Sequence, residues 1–498
     1  MKAVILAAGV GSRLRPLTSK KPKCLVRVAG RPILDYQVRA YTAAGIKDIL
    51  IVVGYEASKI KEYYKHTRDI HIKLIENEDY EVTNNMYSLF LTAPDVENES
   101  FILSNGDVVF DTSIIYELVH SDEDLIAADK GSYSEEAMKI TLNETGLISN
   151  ISKEIPQNEA YGNSIDIYKF SAKSSTILFQ EMRKIIAGEN NLKDWTEIAI
   201  QRLLQTGDLK MQPFEISNKS WVEIDNFEDL AVADQAFSSF SLKDKKLCFI
   251  DLDGTIFLGN KLLPEADKVL TKLQQAGMKY YFLSNNSSRS KKDYVAKLRD
   301  LGIESREENF VLSTDGVIEF LTQNRVKNVY LVGTESMKQA FVAAGLNADS
   351  DQPEYVVLGY DTEVTYEKLK QAAIYLNQGA DLLATHCDLV CPTPEGPIPD
   401  IGAMLALFEA ATHKTPVRVF GKPHSGMVDH ILTKNGLNRT DIVVIGDRLY
   451  TDMKLARNLG CDFVCVLSGE TNREDIEPLE DVPDLIINSI AELQNYLE

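Results

Sequence analysis

The sequence predicts an α/β protein made of two or three domains. Short apolar runs that suit buried strands alternate with stretches of helical periodicity along most of the chain. Several of these runs are followed at once by glycines or by polar residues, as at the strand ends of open parallel sheets. The length of 498 residues also exceeds what one hydrophobic core usually holds.

The charge and hydropathy of the chain indicate which kinds of partner it can bind and in which cellular compartment it is expected. The formal net charge of -21 argues against binding to nucleic acid or to an anionic membrane, although local cations and Mg²⁺ still permit small anionic substrates. No apolar run approaches the roughly 20 residues of a membrane-spanning helix. The apolar start, Ala3–Ala8, is better explained as a buried first strand than as a signal segment, because Gly9 and Gly11 follow. We therefore expect a cytoplasmic protein.

The six cysteines give a weak signal for metal binding. Two C-x₃-C pairs, Cys387/Cys391 and Cys461/Cys465, would have to converge to form a zinc site. Buried reduced thiols are the favoured alternative, since a cytoplasmic protein rarely keeps disulfides.

The first 240 residues predict a parallel sheet covered by helices. Strand and helix patterns alternate there. In chain order they are the strand Lys2–Leu6, the helix Arg31–Ala44, the strand Asp48–Val53, the helix Ser58–Tyr64 and the strand Ile72–Ile75.

A glycine-rich loop, Ala7–Leu14, follows the first strand and indicates an anion site. Its glycines let the backbone approach a phosphate, and a helix amino terminus adds a favourable dipole. The loop lacks the third glycine of a dinucleotide fingerprint, because Leu14 stands there, and Val53-Gly54 occupies the place of the ribose-binding acid. It also lacks the Gly-Lys-Ser/Thr of a Walker loop.

A cluster of cations follows this loop in an otherwise acidic chain. It suggests that a nucleoside triphosphate binds, with Arg13 and Lys23 in contact with the reacting phosphates. The alternative is a solvated basic loop. The cations are Arg13, Arg15, Lys20, Lys21 and Lys23.

Two aspartates stand at the ends of predicted strands further along. Asp107 lies just beyond Ile102–Ser104, and Asp225 ends Val222–Ile224. Carboxylates from two strand ends can hold one Mg²⁺ against a phosphate. The alternatives are that Asp107 is a turn residue and that Asp225 caps the following helix, Phe227–Gln235.

These segments resemble the sugar-phosphate nucleotidyltransferase family, and most of all its phosphocholine cytidylyltransferase branch. The resemblance covers nearly all of residues 1–237 and implies a Rossmann-like domain in which a phosphomonoester attacks the α-phosphate of a nucleoside triphosphate. It implies Asp107 and Asp225 as Mg²⁺ ligands and a nucleotide-binding set of Ala8, Gly9, Gly11, Ser12, Asn84 and Ser88. The segments that carry it are Leu6–Thr18, Lys21–Gln37, Asn84–Ser88, Asn105–Asp107 and Trp221–Asp225.

The acceptor is left open between phosphocholine, phosphoethanolamine, glycerol phosphate and similar phospho-alcohols. Tyr133, Tyr161, Asp166 and Trp195 are candidates by position, since a quaternary amine is held by aromatic faces and acids. Ile165-Asp166 stands where aromatic residues are expected for choline, so a smaller polyol phosphate or amino-alcohol phosphate fits this segment equally well.

A polar linker at residues 241–246 leads to a second unit, 247–498. There the strand Leu247–Ile250 ends at Asp251 and Asp253, so that one carboxylate can attack while the other handles a proton. Three further strands end in polar residues. They are Lys279–Leu283 with Ser284 and Asn285, Val417–Phe420 with Lys422, and Ile442–Ile445 with Asp447 and Asp452.

This order of motifs resembles the haloacid dehalogenase superfamily of phosphohydrolases. The resemblance implies Asp251 as the nucleophile and Asp253 as the general acid and base. It implies that Ser284 and Lys422 hold the phosphoryl group with Asn285 nearby. The implied Mg²⁺ site consists of Asp251, Asp447 and the backbone carbonyl of Asp253, with Asp452 in support.

The spacing of the motifs locates an inserted cap. Asp253 and Ser284 are 31 positions apart, whereas Ser284 and Lys422 are 138 apart. A cap at roughly 315–415 resembles the branch of p-nitrophenyl-phosphate, phosphoglycolate and nucleotide phosphatases and favours small substrates. His386 lies where that branch faces its substrate and is a candidate for specificity, with a surface histidine as the alternative.

The sequence thus predicts a bifunctional enzyme: a nucleotidyltransferase, most simply a cytidylyltransferase, joined to a Mg²⁺-dependent phosphomonoesterase. One alternative is a sugar-1-phosphate nucleotidylyltransferase that uses UTP or dTTP. Another is a nucleotide-sensing regulator with degenerate domains, which the intact motif residues of the second unit argue against.

Overall fold

A computed structural model describes residues 1–65, 70–130, 133–216, 218–391, 396 and 398–497. The chain divides into two compact units. The first consists of Met1–Ser238 with Glu477–Leu479, and the second of Ser239–Ile476 with Glu480–Glu498. Both are mixtures of strands and helices, which confirms the α/β prediction. None of the helices in the described ranges is long and apolar enough to cross a membrane.

The first unit is built on a nine-stranded sheet, of which one part is parallel. The first strand, Lys2–Ala7, lies between Asp48–Val53 and Phe101–Asn105, and His71–Glu76 completes this parallel part. Nearly every side chain of the strands Lys2–Ala7 and Asp48–Val53 is buried. This agrees with the continuous apolar runs from which those strands were predicted.

The other part of this sheet is antiparallel and was not predicted. The long strand Gly162–Phe170 pairs with Phe101–Asn105 and carries the sheet on to Lys139–Leu142 and Ile148–Ser152. On this side Leu125–Asp129 also pairs with Gly162–Phe170, and Gln212–Glu215 completes the sheet. The prediction of a parallel sheet was therefore right for the first half of the unit and incomplete for the second.

Helices cover both faces of this sheet and bury two apolar clusters against it. The helix Phe227–Phe237 begins with a capping box between Asn226 and Asp229. The helices of the unit are Ile33–Ala43, Ala57–Tyr63, Asn85–Phe90, Ala93–Val96, Thr112–Val119, Ala172–Arg183, Thr196–Thr206 and Phe227–Phe237.

A small ribbon fixes the second predicted metal ligand. Val108–Phe110 pairs antiparallel with Trp221–Glu223, so that Glu223 lies opposite Val108. The next step of the ribbon is a hydrogen bond from the backbone N–H of Ile224 to the carbonyl of Asp107, 3.0 Å long. This pairing brings the chain around Asp225 alongside Asp107.

The second unit holds a six-stranded parallel sheet. Its two central strands are Leu247–Asp251 and Ile442–Gly446, and the register sets Ile250 beside Ile445. Asp251 and Asp447 therefore leave neighbouring strands at the same edge of the sheet. The other strands, in sheet order around this pair, are Phe310–Leu312, Lys279–Ser284, Asp462–Val466 and Leu485–Ile487.

A separate four-stranded parallel sheet is formed by the segment between Ser284 and Lys422. Its strands are Val329–Val332, Tyr355–Leu358, Asp381–Ala384 and Arg418–Val419. Buried apolar side chains lie on both faces of this sheet. The helices of the second unit are Ala266–Gln275, Lys291–Asp300, Ser313–Gln323, Glu335–Ala343, Tyr366–Asn377, Ile401–Thr412, Asp429–Asn435, Lys454–Leu459 and Arg473–Ile476.

The polar segment before Leu247 packs onto the second unit. Leu242 is fully buried in the apolar core of that unit. The ammonium of Lys245 lies 2.6 Å from a carboxylate oxygen of Asp462, and the backbone N–H of Lys246 donates to the carbonyl of Asp441 over 2.7 Å. These contacts hold residues 242–246 against the unit that they precede.

Candidate active sites

The first unit contains a cavity of about 430 Å³ at the ends of its parallel strands. Twelve of the candidate site residues of the first 240 residues line it, which brings together residues that lie up to 217 positions apart in the sequence. These residues are Ala8, Gly9, Gly11, Ser12, Arg13, Lys23, Asn84, Ser88, Asp107, Asp166, Trp195 and Asp225.

The glycine loop curves tightly around the stem of Lys23. Gly11 has a left-handed backbone with φ of 64°, and a Cβ at this position would lie 2.7 Å from Cβ of Lys23. Glycine is thus required here both for its conformation and for the close approach. The hydroxyl of Thr18 donates to the carbonyl of Gly11 over 2.8 Å and holds the turn in place.

Three carboxylates form one cluster beside this loop. The ligand atoms of Asp107, Glu223 and Asp225 lie within 4.8 Å of one another. The ammonium of Lys23 lies 2.8 Å from both Asp107 and Asp225, and Nη2 of Arg13 lies 2.9 Å from the second oxygen of Asp225. The two predicted phosphate contacts therefore lie directly against the two predicted metal ligands.

Two carboxylates of this cluster have pKa values that are shifted in opposite directions. Burial raises the pKa of Glu223 to about 7, with help from the charges of Asp107 and Asp225. Burial also acts on Asp225, but the charges and hydrogen bonds of Lys23 and Arg13 outweigh it and lower the pKa of that carboxyl. Burial alone would lower the pKa of the Lys23 ammonium. The charges of Asp107 and Asp225 and their hydrogen bonds outweigh burial, so this pKa is raised.

A second acidic group lines the same cavity. Tyr168 is buried and lies between two carboxylates: its hydroxyl is 2.8 Å from Oε1 of Glu197 and 3.1 Å from Oδ1 of Asp166. Asn105 donates to the other oxygen of Asp166 over 2.8 Å. Burial raises the pKa of both carboxyls, and for Asp166 the charge of Glu197 adds to the effect.

Of the aromatic acceptor candidates, only Trp195 reaches the cavity. The ammonium of Lys153 lies 5.0 Å from the centre of its ring. Tyr133 and Tyr161 are absent from the lining of the cavity: the ring of Tyr133 faces Lys139, and the hydroxyl of Tyr161 donates to Glu215. Each of these two tyrosines contacts a neighbouring charged side chain instead, and a role for either as an acceptor contact stays a prediction.

In the second unit, the motif residues from separate strand ends meet in a buried cluster. The ligand atoms of Asp251, Asp447 and Asp452 lie within 4.8 Å of one another. The ammonium of Lys422 contacts Asp251 and lies 2.6 Å from Oδ1 of Asp452. All four side chains are almost fully buried.

The backbone closes tightly around Asp447. Gly254 has a left-handed φ of 85°, and a Cβ there would lie 2.5 Å from Oδ2 of Asp447. The backbone N–H of Glu470 donates to this same oxygen over 2.7 Å. The glycine that directly follows Asp253 is thus required by the approach of a carboxylate from the neighbouring strand.

Burial and mutual repulsion set the protonation of this cluster. They raise the pKa of Asp447 to about 8, where the charge of Asp251 contributes most after burial. Burial also raises the pKa of Asp452 to about 6, although Lys422 opposes it. Burial alone would lower the pKa of Lys422. The nearby charges of Asp251 and Asp452 raise it, so that it stays above its ordinary value. Burial likewise raises the pKa of Asp253, against the charge of Lys297.

Asn285 and Ser284 lie beside this cluster. The Asn285 side chain accepts from the backbone N–H of Lys422 over 2.7 Å, and it donates to the carbonyl of Lys422 and to Asp388. It therefore fixes the loop that carries Lys422. The hydroxyl of Ser284 lies 3.1 Å from that of Tyr294 and accepts from the backbone N–H of Asn286.

His386 lies in the buried interior next to this loop, so the alternative of a surface histidine is wrong. Its Nδ1 accepts from the backbone N–H of Asp388 over 3.3 Å, and its Nε2 lies 3.7 Å from Oδ1 of Asp400. Burial lowers the pKa of His386 to about 4 and raises that of Asp400 to about 7.

The ligand atoms of His386, Asp388 and Asp400 lie within 4.8 Å of one another, which is close enough for these three side chains to be considered as metal ligands. Because Nδ1 of a neutral His386 is a hydrogen-bond acceptor, its proton is on Nε2, and this nitrogen has no free lone pair for a metal. The arrangement therefore suits hydrogen bonding better than coordination.

The cysteines contribute to none of the candidate metal clusters among the described residues. All six are free thiols, and Cys461 and Cys465 are buried in the core of the second unit. The structure thus favours the alternative of buried reduced thiols over a zinc site.

Several cavity residues were missed by sequence reasoning, above all Glu223, Glu197 and Lys153. A signal for Glu223 existed, because residues two apart in a strand face the same side and Glu223 precedes Asp225 by two. Glu197 and Lys153 belong to no motif and reach the cavity only through the fold. In the second unit, the buried Asp388 and Asp400 follow the candidate His386 by two and fourteen positions, but neither was singled out.

Both carboxylate clusters have the chemistry of a site for a divalent cation. Oδ1 of Asp107 and Oδ1 of Asp447 are buried, and no described residue donates a hydrogen bond to either oxygen. Hard carboxylate oxygens of this kind are the ligands that Mg²⁺ prefers. The residues present therefore fit the ion that the sequence predicts.

Comparisons with known proteins agree with the two-part organisation. Residues 248–347 match the family model of haloacid dehalogenase-like hydrolases, and residues 419–493 match a second model described as HAD-hydrolase-like. A 5'-nucleotidase of Bacillus subtilis, YutF, is 30% identical over 257 residues, which are 51% of this chain and 100% of that protein. The chain belongs to the haloacid dehalogenase-like hydrolases.

Other relatives of this hydrolase half have similar extents. An acid sugar phosphatase of Staphylococcus saprophyticus is 30% identical over 259 residues, which are 52% of this chain and 100% of the relative. The crystal structure of a 4-nitrophenylphosphatase from Thermotoga maritima is 38% identical, with a TM-score of 0.50, and the match covers 52% of this chain and 99% of that one.

The amino-terminal part matches another family. Residues 3–156 match the model of a MobA-like NTP transferase domain. The chain therefore joins a nucleotidyltransferase to a haloacid dehalogenase-like hydrolase, and it acts on small molecules such as nucleotides and phosphoesters.

Proposed function

We propose that the first unit transfers a cytidylyl group from CTP to a small phospho-alcohol and releases diphosphate. The observation that carries this proposal is the contact of Lys23 and Arg13 with the carboxylates of Asp107 and Asp225 at the mouth of the glycine loop. This arrangement combines phosphate-binding cations with ligands for a divalent cation, which is what phosphoryl-group chemistry requires. Base choice rests on the resemblance to cytidylyltransferases.

In the proposed reaction a phosphate oxygen of the acceptor attacks the α-phosphorus of the nucleotide. The bond between that phosphorus and the oxygen bridging to the β-phosphate breaks, and diphosphate leaves with the bonding pair. Lys23 and Arg13 offset the charge that develops on the phosphates, while the loop of Gly9 and Gly11 supplies backbone N–H groups. Mg²⁺ held by Asp107 and Asp225 would polarise the α-phosphate when bound.

A nucleotide panel tests this proposal. The full chain is incubated with phosphoethanolamine and each of CTP, UTP, dTTP, ATP and GTP, and diphosphate release is followed. We expect the rate with CTP to exceed the others by at least tenfold. Preference for UTP or dTTP, with a sugar 1-phosphate as the better acceptor, would support the alternative nucleotidylyltransferase.

For the second unit we propose phosphomonoester hydrolysis through an aspartyl-phosphate. The observation that carries it is the contact of the Lys422 ammonium with Asp251, next to Asp447 and Asp452. A buried cation beside a carboxylate reduces the repulsion between that carboxylate and a phosphate. Mg²⁺ held by Asp251, Asp447 and the carbonyl of Asp253 would reduce it further.

The proposed reaction has two steps. A carboxylate oxygen of Asp251 attacks phosphorus, the bond to the ester oxygen breaks, and Asp253 gives its proton to the departing alkoxide. Asp253 then takes a proton from water, which attacks the same phosphorus and frees phosphate and the Asp251 carboxylate. Burial raises the pKa of Asp253, which favours the proton that the first step requires.

Replacement of the nucleophile tests this mechanism. Asp251→Asn keeps the shape of the side chain but removes its charge, and the hydrolysis of p-nitrophenyl phosphate should fall by roughly 10³–10⁶-fold. A phospho-enzyme trapped from the wild type by rapid quench should carry its label on Asp251. A label on another residue, or continued turnover by Asp251→Asn, would favour direct attack by water.

The substrate of the phosphatase is proposed to be a small phosphate ester, such as a sugar or polyol phosphate. The segment 315–415 would act as a cap over the site, and His386 and Asp400 would contact the alcohol part. Two observations support this: the relatives include an acid sugar phosphatase, and His386 packs against the loop that carries Lys422.

A further inference from the structure

One wall of the cavity in the first unit is acidic in a way that nucleotidyl transfer does not require. Glu197 is the second residue of the helix Thr196–Thr206, is only 3% exposed and lines the cavity together with Asp166. Neither carboxylate belongs to the cluster of Asp107, Glu223 and Asp225. Two buried acids outside the proposed metal site indicate a ligand of their own.

The hydrogen bonds of these acids leave acceptor positions open. The phenol of Tyr168 carries a single proton, and it lies between Oε1 of Glu197 and Oδ1 of Asp166, so it satisfies only one of them at a time. Oε2 of Glu197 is buried, and no described residue meets hydrogen-bond geometry toward it, although the Asn85 side chain lies near enough to favour its charge. At least two carboxylate oxygens therefore await a donor.

The aromatic part of this wall does not form a cage for a methylated amine. Among the described residues that line the cavity, the aromatic ones are Tyr80 and Trp195, and Lys153 already holds its ammonium 5.0 Å from the Trp195 ring. This contact shows that the face of Trp195 attracts a cation. The remaining recognition is by oxygen acceptors, which require N–H or O–H donors on the ligand.

We infer that the acceptor of the nucleotidyl group carries a primary ammonium, which donates hydrogen bonds to Glu197 and Asp166. This inference rests on the proposed nucleotidyl transfer and names the chemistry of its acceptor. A primary ammonium supplies three donors and the charge that two buried carboxylates require. A trimethylammonium group has the charge but no donor, and a hydroxyl has a donor but no charge.

A series of acceptors with increasing N-methylation tests the inference on the wild-type chain. Phosphoethanolamine, its N-methyl and N,N-dimethyl derivatives and phosphocholine carry the same charge but three, two, one and no N–H donors. With CTP and Mg²⁺, kcat/KM for diphosphate release should fall along the series by at least about 100-fold in total, because a site built to bond a donor rejects an analogue without it. Equal or greater activity with phosphocholine would overturn the inference.

Replacement of Glu197 gives a second test. Glu197→Gln keeps an oxygen for the Tyr168 hydroxyl but loses the charge, so kcat/KM for phosphoethanolamine should fall at least about 30-fold while KM for CTP stays unchanged. Glu189→Gln is the matched control, since Glu189 is an exposed partner of Arg202 outside the cavity lining. An unchanged preference for phosphoethanolamine in Glu197→Gln would contradict the inference. If this variant fails to fold, the acceptor series on the wild type decides.

The experiment separates this inference from the proposed transfer. Faster release of diphosphate with glycerol 3-phosphate or phosphocholine than with phosphoethanolamine would agree with the proposed nucleotidyl transfer. It would contradict the inference that the acceptor carries a primary ammonium. Absence of diphosphate release with every nucleotide and every acceptor, including sugar 1-phosphates, would overturn both.

Discussion

The ammonium of Lys422 lies 2.6 Å from Oδ1 of Asp452, although both side chains are almost completely buried. Removing two opposite charges from water is costly, and only close contact and further hydrogen bonds offset that cost. Here the same ammonium also contacts Asp251, and Oδ2 of Asp452 accepts from the backbone N–H of Arg448. Lys422 therefore balances a group of carboxylates that would otherwise repel one another.

Loss of this cation should make the second unit depend on metal for its stability. In Lys422→Met the buried carboxylates lose a partner, which typically costs about 3–5 kcal/mol of unfolding free energy. Mg²⁺ should therefore raise the unfolding temperature of the variant by more than it raises that of the wild type. Thermal unfolding in EDTA and in Mg²⁺ measures this difference.

The control for this prediction is Lys434→Met, which removes an exposed lysine from the helix Asp429–Asn435. It should behave as the wild type in both conditions. Wild-type stability of Lys422→Met in EDTA would mean that Asp251, Asp447 and Asp452 need no balancing cation.

The two activities should be separable by single substitutions. Asp107→Ala removes a proposed metal ligand in the first unit and should abolish diphosphate release, while hydrolysis of p-nitrophenyl phosphate stays near the wild-type rate. Asp251→Asn should do the reverse, since the exchange is nearly isosteric and lies in the other unit. Parallel assays of both activities on both variants check this. Loss of both activities in either variant would mean that the sites are coupled or that the assignment of residues to them is wrong.

Each unit should also fold by itself. Each has its own sheet and its own apolar cores, and the proposed domains are 1–240 and 247–498. Fragments 1–238 and 239–498, cut so that Leu242 stays with the core in which it is buried, should therefore be soluble and keep their own reaction, as assayed by circular dichroism and by the two activities. The failure of both fragments to fold would contradict the proposed division.

The parts of the sites that the sequence predicted are those that follow strands directly. Asp251, Asp107 and Asp447 each stand at or just beyond the carboxyl end of a buried parallel strand, and parallel strands end at a common edge. Both the strand and the position of its polar residue are local properties of the sequence. Residues of this kind can therefore be identified from the amino-acid pattern alone.

The parts that were missed depend on long-range pairing. The strand Gly162–Phe170 joins the sheet antiparallel, with a change of register between Ser164 and Tyr168 where it pairs with Leu125–Asp129. Asp166 lies within this irregularity, and Glu197 meets it from the start of a helix. Because no local pattern encodes this meeting, the sequence offered Asp166 as an acceptor contact but not its partner Glu197.

His386 and Asp400 should give the second unit two opposite dependences of stability on pH. Burial lowers the pKa of His386 from 6.5 to about 4, so between these values the unfolded chain binds a proton that the folded chain does not, and stability is lost as the pH falls. Burial raises the pKa of Asp400 from 3.8 to about 7, so the folded chain binds the extra proton there, and stability is lost as the pH rises. The neighbouring charges are those of Asp388, Arg448 and Lys422.

Single substitutions should expose each dependence. Asp400→Asn leaves the histidine alone, so its unfolding free energy should fall relative to the wild type by up to about 4 kcal/mol as the pH goes from 7 to 4, at about 1.4 kcal/mol for each pKa unit. His386→Asn leaves the aspartate alone, so its stability relative to the wild type should rise by up to about 3 kcal/mol over the same range. Hydrogen exchange at the amides of the strand Asp381–Ala384 reports the free energy of opening next to both residues.

The sign of the difference is what decides this last prediction. Asp381→Asn is the matched control, because this carboxyl is half exposed at the start of the same strand. A fall of relative stability on acidification in His386→Asn, or a rise in Asp400→Asn, would mean that the imidazole is charged and the carboxylate ionised in the folded chain. The two groups would then form an ion pair, and the proposed contact of His386 and Asp400 with the alcohol part of a substrate would have to be made by charged groups.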